Sequence, residues 1–355
     1  AHLLFPICCA DCFADVCRSV FACKSGKETP APITTRNDRR NEYERRANCH
    51  MNPILSIVIA NYNYGRFLED AILSVLRQEV GEVVELIICD AASTDNSVDI
   101  IKKYANGLPP NASYLDCFAS NPSSPIRNPL ITWWCSEPDG GQSAAFNKGF
   151  SHARGRYLTW LNADDVLVTG CLKHVISEME KHPECEWFTG NFFRFLESDK
   201  TIIEIGWGPH FYPRWLQTKH SPLVIFGPTT FFSKKIYEQV GRINESMHFC
   251  MDNDLWYRFV LAGVIQRRIR CFCWAFRMHE ASKTAEFGLH KTSEEARLIG
   301  GEELEAMKRR LKYRKSKINE FLVRCWRCVD GSFVKGVFLR GIMIKKQFDL
   351  PERTY

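Results

Sequence analysis

The chain has 355 residues, of which 45% are hydrophobic, 12% aromatic and 25% charged, and it carries a formal net charge of +6. That is ordinary globular composition, with enough apolar material for a core that needs no disulfide staples. No apolar run approaches the roughly 18 residues of a membrane-spanning helix, so no such helix is expected.

Residues 1–50 follow neither a strand nor a helix period. They open with "AHLLFPICCADCF", which lacks the basic leader and cleavage site of a secretory signal. They close with the charged run "TRNDRRNEYERRANCH". No methionine precedes Met51, so the native start is expected at Met51, behind an irregular, disordered segment 1–50. Sixteen cysteines are present. Several, such as Cys89 and Cys171, sit inside apolar runs, as free cysteines do in the cores of reduced cytosolic proteins. The pairs Cys9/Cys12 and Cys325/Cys328 have C-x-x-C spacing but lack a second pair at zinc-finger distance.

From residue 53 the pattern becomes regular. "ILSIVIA" (54–60) is a short β-branched run, as expected of a buried parallel strand. "FLEDAILSVLRQ" (67–78) has apolar residues at helical spacing. "VVELIICD" (83–90) reads as a strand and "DNSVDIIKKYA" (95–105) as a helix capped by Asp95. "ITWWCSEPDGG" (131–141) is a strand and turn, "QSAAFNKGFSHA" (142–153) a helix, and "RYLTWLN" (156–162) a strand. Further strands are expected near 186–195 and 229–233, a helix from Asp252, and charged helices over 291–320. Alternation of strands and helices predicts an α/β fold with a mostly parallel sheet covered on both faces. Binding sites in such sheets form at the carboxyl ends of the strands.

The stretch "YLTWLNADDVL" (157–167) places Asp164 and Asp165 at such an end. Adjacent carboxylates there either cap the following helix or share a divalent cation whose charge offsets their repulsion. Asp252 and Asp254, in "CMDNDLWYRF", also fit a helix start.

Five segments occur in order: "PILSIVIANYNYGRFLEDAILSVLRQ", "ELIICDAASTDNSVDIIKKYA", "SEPDGGQSAAFNKGF", "YLTWLNADDVL" and "HFCMDNDLWYRF". Together, over about residues 53–285, they resemble glycosyltransferase family 2, which has the GT-A fold. The resemblance implies a domain over 51–290 that transfers a sugar, with inversion, from a nucleotide-sugar donor, foremost a UDP-sugar. It also implies dependence on Mg²⁺ or Mn²⁺.

By motif, Asn61, Tyr62 and Asn63 fall where the family lines the nucleotide pocket, and Asp90 where it holds the nucleoside. Ala91 and Ala92 stand where many members have an acid or a glycine. Asp139, Gln142, Asn147 and Lys148 are the polar candidates beneath the diphosphate, on glycines and a helix N-terminus that favour anions. "LNADD" resembles the metal-binding D-x-D, with Asp164 as metal ligand and Asn162 in place of the first Asp. Asp165 then contacts the sugar or caps the next helix. Asp252 falls at the catalytic base, with Met251 where many members have Glu. His279, in "RMHEASKT", falls in a segment where a histidine approaches the metal or diphosphate.

The acceptor implied is a hydroxyl of a glycan or lipid-linked sugar in surface polysaccharide or glycolipid synthesis. Asn162 and Met251 keep open an alternative, a catalytically silent relative that binds nucleotide sugars or acts as a scaffold. A nucleotidyltransferase would need a glycine-rich basic loop after the first strand, which "ANYNYGRF" does not supply. Sugar and linkage specificity is expected to sit in loops 107–130 and 197–228.

Residues 291–355 read as a basic helical extension. Residues 301–355 hold fourteen Lys/Arg against seven Asp/Glu. Cations interleaved with Phe, Trp, Leu and Ile over 301–346 suit an anionic membrane surface, so a peripheral location on the cytoplasmic face is expected. Gly331, Gly336 and Gly341 are expected to weaken any continuous helix there. No nucleic-acid partner is expected.

Overall fold

The computed structural model describes residues 53–80, 83–105, 108, 110–111, 131–207, 229–282 and 325–351. The expectations for residues 1–50, for helices over 291–320 and for most of the specificity loops lie outside the described residues.

The first half builds as its hydrophobic periods dictate. β1 (Leu55–Asn61), β2 (Val84–Asp90), β3 (Ile131–Ser136) and β4 (Tyr157–Asn162) alternate with α1 (Gly65–Leu76), α2 (Ser97–Tyr104) and α3 (Gln142–His152). β1 pairs in parallel with β2 on one side and β4 on the other, and β2 pairs with β3. These strands are almost wholly buried. That burial on both faces explains their unbroken apolar runs.

The second half departs from the parallel pattern. After β5 (Val166–Leu167) and α4 (Cys171–Lys181) come β6 (Trp187–Leu196), β7 (Ile202–Gly206), β8 (Thr230–Ser233), α5 (Lys234–Gln239), α6 (Met251–Leu261) and β9 (Arg267–Met278). The sheet order is β3-β2-β1-β4-β8-β6-β9-β5, with β7 pairing the later half of β6, beyond the stretch that β8 pairs. Four of the eight pairings are antiparallel but short, while the longest, β6 with β9, is parallel, so the sheet is mostly parallel along its ladders with antiparallel joints in its second half. The reversal begins at β8, which enters antiparallel beside β4.

Two apolar cores lie on the two faces. One gathers α1 and α4 against β1, β2, β6 and β9. The other packs α3 and α6 through Phe146, Phe150, Trp160, Trp187, Trp256 and Phe259. Trp160 and Trp256 stack in parallel at 5.5 Å between centroids, and Trp187 stacks on Trp256 at 5.8 Å. α3 lies so close to the sheet that a Cβ at Gly149 would come within 2.4 Å of Val58.

α7 (Ser332–Met343) runs uninterrupted through Gly336 and Gly341, although both glycines weaken its intrinsic helical preference. Gly336 is buried beside Trp207, 3.5 Å from where its Cβ would stand. Packing here outweighs the entropic cost of glycine in a helix, about 1 kcal/mol.

Gly149→Ala is expected to destabilise the fold by about 1–3 kcal/mol through overpacking of β1 and α3, measured by urea unfolding.

Candidate active site

The carboxyl ends of β1, β2 and β4 open onto a cavity of about 840 Å³. Its lining includes Asn61, Tyr62, Asp139, Gly141, Gln142, Asn162, Asp164 and Asp252. Residues separated by almost two hundred positions therefore share one cleft. Trp160, Arg194, His248, Trp274 and Phe276 complete its walls.

At the β1–β2 end the cavity floor is a saturated hydrogen-bond network. Buried Asp90 accepts from Asn61 Nδ2 at 2.6 Å, from Ser93 Oγ at 2.5 Å and backbone N at 3.0 Å, and from Ser136 Oγ at 2.6 Å. Asp90 lies beneath the lining and holds β1, β2 and β3 together at their ends. Asn63 sits beside it outside the lining, where its amide oxygen accepts from Thr94 N at 2.8 Å. Asn63 and Ala92 both have positive φ, 56° and 55°. Ala92 thus takes the left-handed conformation that glycine adopts without strain. Tyr62 projects into solvent at the cavity rim.

The glycine turn before α3 forms the next wall. Gly141 has φ 102°, and its N–H donates to Asp139 Oδ1 at 2.7 Å. Burial raises the Asp139 carboxyl above its ordinary value. Asn147 and Lys148 lie outside the lining. Asn147 instead fastens the 241–245 loop through Ile243 N and O, Glu245 and the Tyr237 hydroxyl. Lys148 pairs with Glu137 at 3.0 Å.

The β4 end carries the acidic pair. Neither carboxylate caps α4, whose N-cap is Gly170 with no side-chain cap; the capping reading of this pair is corrected. Asp165 is buried and accepts from Arg277 N at 2.9 Å and Asn162 Nδ2 at 2.9 Å. Burial, and then the neighbouring Asp164, push its carboxyl well above the usual range. Asn162 receives Gln142 Nε2 at 3.0 Å. It is thereby a bridge between β4 and α3. Asp164 faces the cavity, and its Oδ2 lies 3.1 Å from His279 Nε2.

Arg277 holds this corner in place. Its side chain is 1% exposed. It donates to the Asp164 carbonyl at 2.7 Å, to Asp70 at 2.8 Å and to Glu197. Phe67 and Phe195 cover the guanidinium at 4.9 and 5.3 Å.

Asp252 stands in the first turn of α6, where the helix dipole favours a carboxylate. It caps nothing: the N-cap is Cys250, and among the described residues Asp252 Oδ1 accepts only from the adjacent Asn253 N, at 2.7 Å. Asp254 points elsewhere and pairs with Arg258 at 2.6 Å. Asp252 touches the cavity on one side and protein on the others. That enclosure pushes its carboxyl up to about 6. Met251 is packed against Ser143 of α3, Oγ to Sδ 2.9 Å, so the starts of α3 and α6 are locked together.

Among the described residues no three His, Cys, Asp or Glu side chains cluster as metal ligands. Asp164 and His279 form a pair of donors, and the buried His279 Nδ1 lacks a hydrogen-bond partner among the described residues. One carboxylate and one imidazole fit a Mg²⁺ or Mn²⁺ that completes its shell with substrate phosphates and water.

A sequence profile described as "Glycosyl transferase family 2" matches residues 56–117 and 134–241. The chain belongs to glycosyltransferase family 2. Its sheet and flanking helices are that family's GT-A architecture. A chondroitin synthase of Pasteurella multocida (strain Pm70) is 26% identical over 218 residues, covering 60% of this chain and 20% of that protein. The minor teichoic acid biosynthesis protein GgaB of Bacillus subtilis (strain 168) is 30% identical over 128 residues, covering 36% of this chain and 12% of that one. The S. aureus TarS 1–349 structure in complex with UDP-GlcNAc aligns over 69% of this chain and 65% of its own, with TM-score 0.48 and 14% identity. The chain therefore spans a fifth or less of the length of either named sequence relative.

Sequence reasoning missed Arg194, His248 and Arg277. Arg277 had a signal: an arginine inside the apolar run "CFCWAFRM" must be paired if that run is a buried strand.

Two predictions follow from this corner and from Asp252. Arg277→Met strands the Asp70 and Glu197 carboxylates, and is expected to cost about 3–5 kcal/mol in urea unfolding. Asp252 titrates near 3.9 when unfolded but near 6 when folded. Its ionisation therefore opposes folding, and stability falls as pH rises between those values. Asp252→Asn is expected to raise Tm at pH 8, with the gain vanishing near pH 4.

Proposed function

We propose that this chain is an inverting glycosyltransferase that moves a sugar from a nucleoside-diphosphate sugar, foremost a UDP-sugar, to a hydroxyl of a glycan or lipid-linked acceptor. The observation that carries this reading is the placement of Asp164 and Asp252 in one cavity floored by the Asn61–Asp90 network.

Asn61, Tyr62 and the β2 end are suited to receive the nucleoside. The glycine turn at 140–141 and the start of α3 admit close approach of a diphosphate, whose charge the helix N-terminus favours. Asp164 and His279 would hold Mg²⁺ or Mn²⁺, which when bound stabilises negative charge on the departing nucleoside diphosphate. Asp252 takes the proton from the acceptor hydroxyl as the hydroxyl attacks the anomeric carbon. A carboxyl that titrates near 6 is ionised at neutral pH and is a better proton acceptor than an ordinary aspartate. The bond from oxygen to the anomeric carbon forms as the bond to the diphosphate breaks on the opposite face. One displacement inverts the configuration, and no second carboxylate acts as nucleophile. Trp160, Trp274 and Phe276 supply apolar faces for a sugar ring, and Arg194 a cation at its polar edge. The polysaccharide and teichoic acid roles in the relatives' names favour a surface glycan as product, and a cytoplasmic site of synthesis accords with the free buried cysteines.

The test is nucleoside diphosphate release from a panel of donors with Mn²⁺ or Mg²⁺, with and without acceptor extracts. Asp252→Asn is expected to lower kcat by about 10²–10⁴-fold while donor binding persists. kcat/KM of the parent enzyme is expected to rise with pH through about 6 and then level. Asp164→Asn is expected to raise the metal concentration needed for half-maximal rate. Donor binding without turnover on any acceptor would favour the silent relative, for which Asn162 and Met251 are the residues in question.

A further inference from the structure

Nine large hydrophobic side chains are exposed among the described residues, and five of them fall within ten positions: Val329, Phe333, Val334, Val337 and Phe338, between 45% and 75% exposed. Helical spacing puts the last four on one side of α7. The opposite side, Ser332, Gly336, Leu339 and Met343, is buried and lies over β7 and Trp207. The usual polarity of a surface helix is thus inverted, with apolar groups on both its inner and outer faces. Cations flank the outer stripe. Arg340 borders it on one side. Lys335 borders it on the other, its Nζ lying 5.3 Å from the Trp207 ring centroid. Exposed Lys345 and Lys346 follow the helix. α7 contains no Asp or Glu, and 325–350 holds five Lys/Arg against two Asp. No helix of the described residues is long and apolar enough to cross a membrane.

We propose that α7 is an in-plane membrane-docking helix, seating its outer apolar stripe at the headgroup boundary of an anionic bilayer while its flanking cations meet lipid phosphates. An apolar face alone would suit a second protein copy equally well. The cations of this segment, which outnumber its acids five to two, would repel their counterparts in a second copy and complement an anionic lipid surface instead. Docking there leaves the catalytic cleft close to the lipid. α7 rests on β7, β7 pairs with β6, and Arg194 of β6 lines the cavity while bonding Glu204 of β7 at 2.8 Å. The inference goes beyond the glycosyl-transfer reading and requires none of its chemistry.

Flotation of the full chain with phosphatidylcholine vesicles, alone or with about one third phosphatidylglycerol, tests it. Binding is expected only to the anionic vesicles and is expected to weaken as salt rises. Arg340→Gln with Lys345→Gln is expected to lower partitioning by more than about tenfold, near fivefold per cation. Val334→Asp with Val337→Asp is expected to abolish it, with thermal unfolding unchanged because both residues face outward. Equal binding to neutral vesicles, or undiminished binding by the folded double variants, would overturn the proposal. So would concentration-dependent dimerisation without lipid that these variants abolish.

Discussion

A charge removed from water governs the architecture of this cleft. Arg277 sits inside the sheet, where an unpaired guanidinium would be prohibitively costly. Its donors must therefore all be answered. The answers come from α1 through Asp70, from the end of β6 through Glu197, and from the loop after β4 through the Asp164 carbonyl. The same residue's backbone N–H holds Asp165. Satisfying one cation thus fixes the relative positions of three chain segments and aims the Asp164 carboxylate into the cavity.

The acidic groups around the cleft are differentiated by surroundings rather than by type. Asp90 is consumed by four hydrogen bonds and serves as a keystone. Asp165 is sealed in and anchors the strand-end loop. Asp164 and Asp252 alone among these four line the open space. Asp252 is the one whose enclosure, with no cation among its hydrogen-bond partners in the described residues, lifts its proton affinity. Four aspartates thus divide into two structural fasteners and two carboxylates open to the cleft, the pair proposed above as metal ligand and base.

The elements from β1 to β4 were legible because strands buried on both faces require continuous apolar runs, and those runs end in turn residues. The mixed second half was not, since a buried run such as "FFRFL" of β6, which pairs antiparallel with β7 and β8 but parallel with β9, carries no record of its partner's direction. Asp164, Asp252, Gln142 and Asn61 were legible as a set through their motifs. Asn147 and Lys148 belonged to the same motif yet face away from the cavity. A helix that begins at the site turns its later residues off the site within two turns, and Asn147 is spent on the 241–245 loop. Asp95 was read as the cap of α2; the first capped position is one residue later than expected, but the Asp95 carboxylate does accept from Ser97 N at 3.0 Å, and also from Gly65 N at 2.8 Å. One side chain therefore pins the starts of two helices, a long-range role that local pattern does not reveal.

Trp160 has one edge on the cavity and its face against Trp256, which in turn lies against Trp187. Three indoles stacked in series form a chromophore that begins at the wall of the cleft and ends deep in the second core. The molecule accordingly carries its own optical probe: occupancy of the cleft alters the medium of the first ring, and ultraviolet emission from the coupled stack registers it without any label.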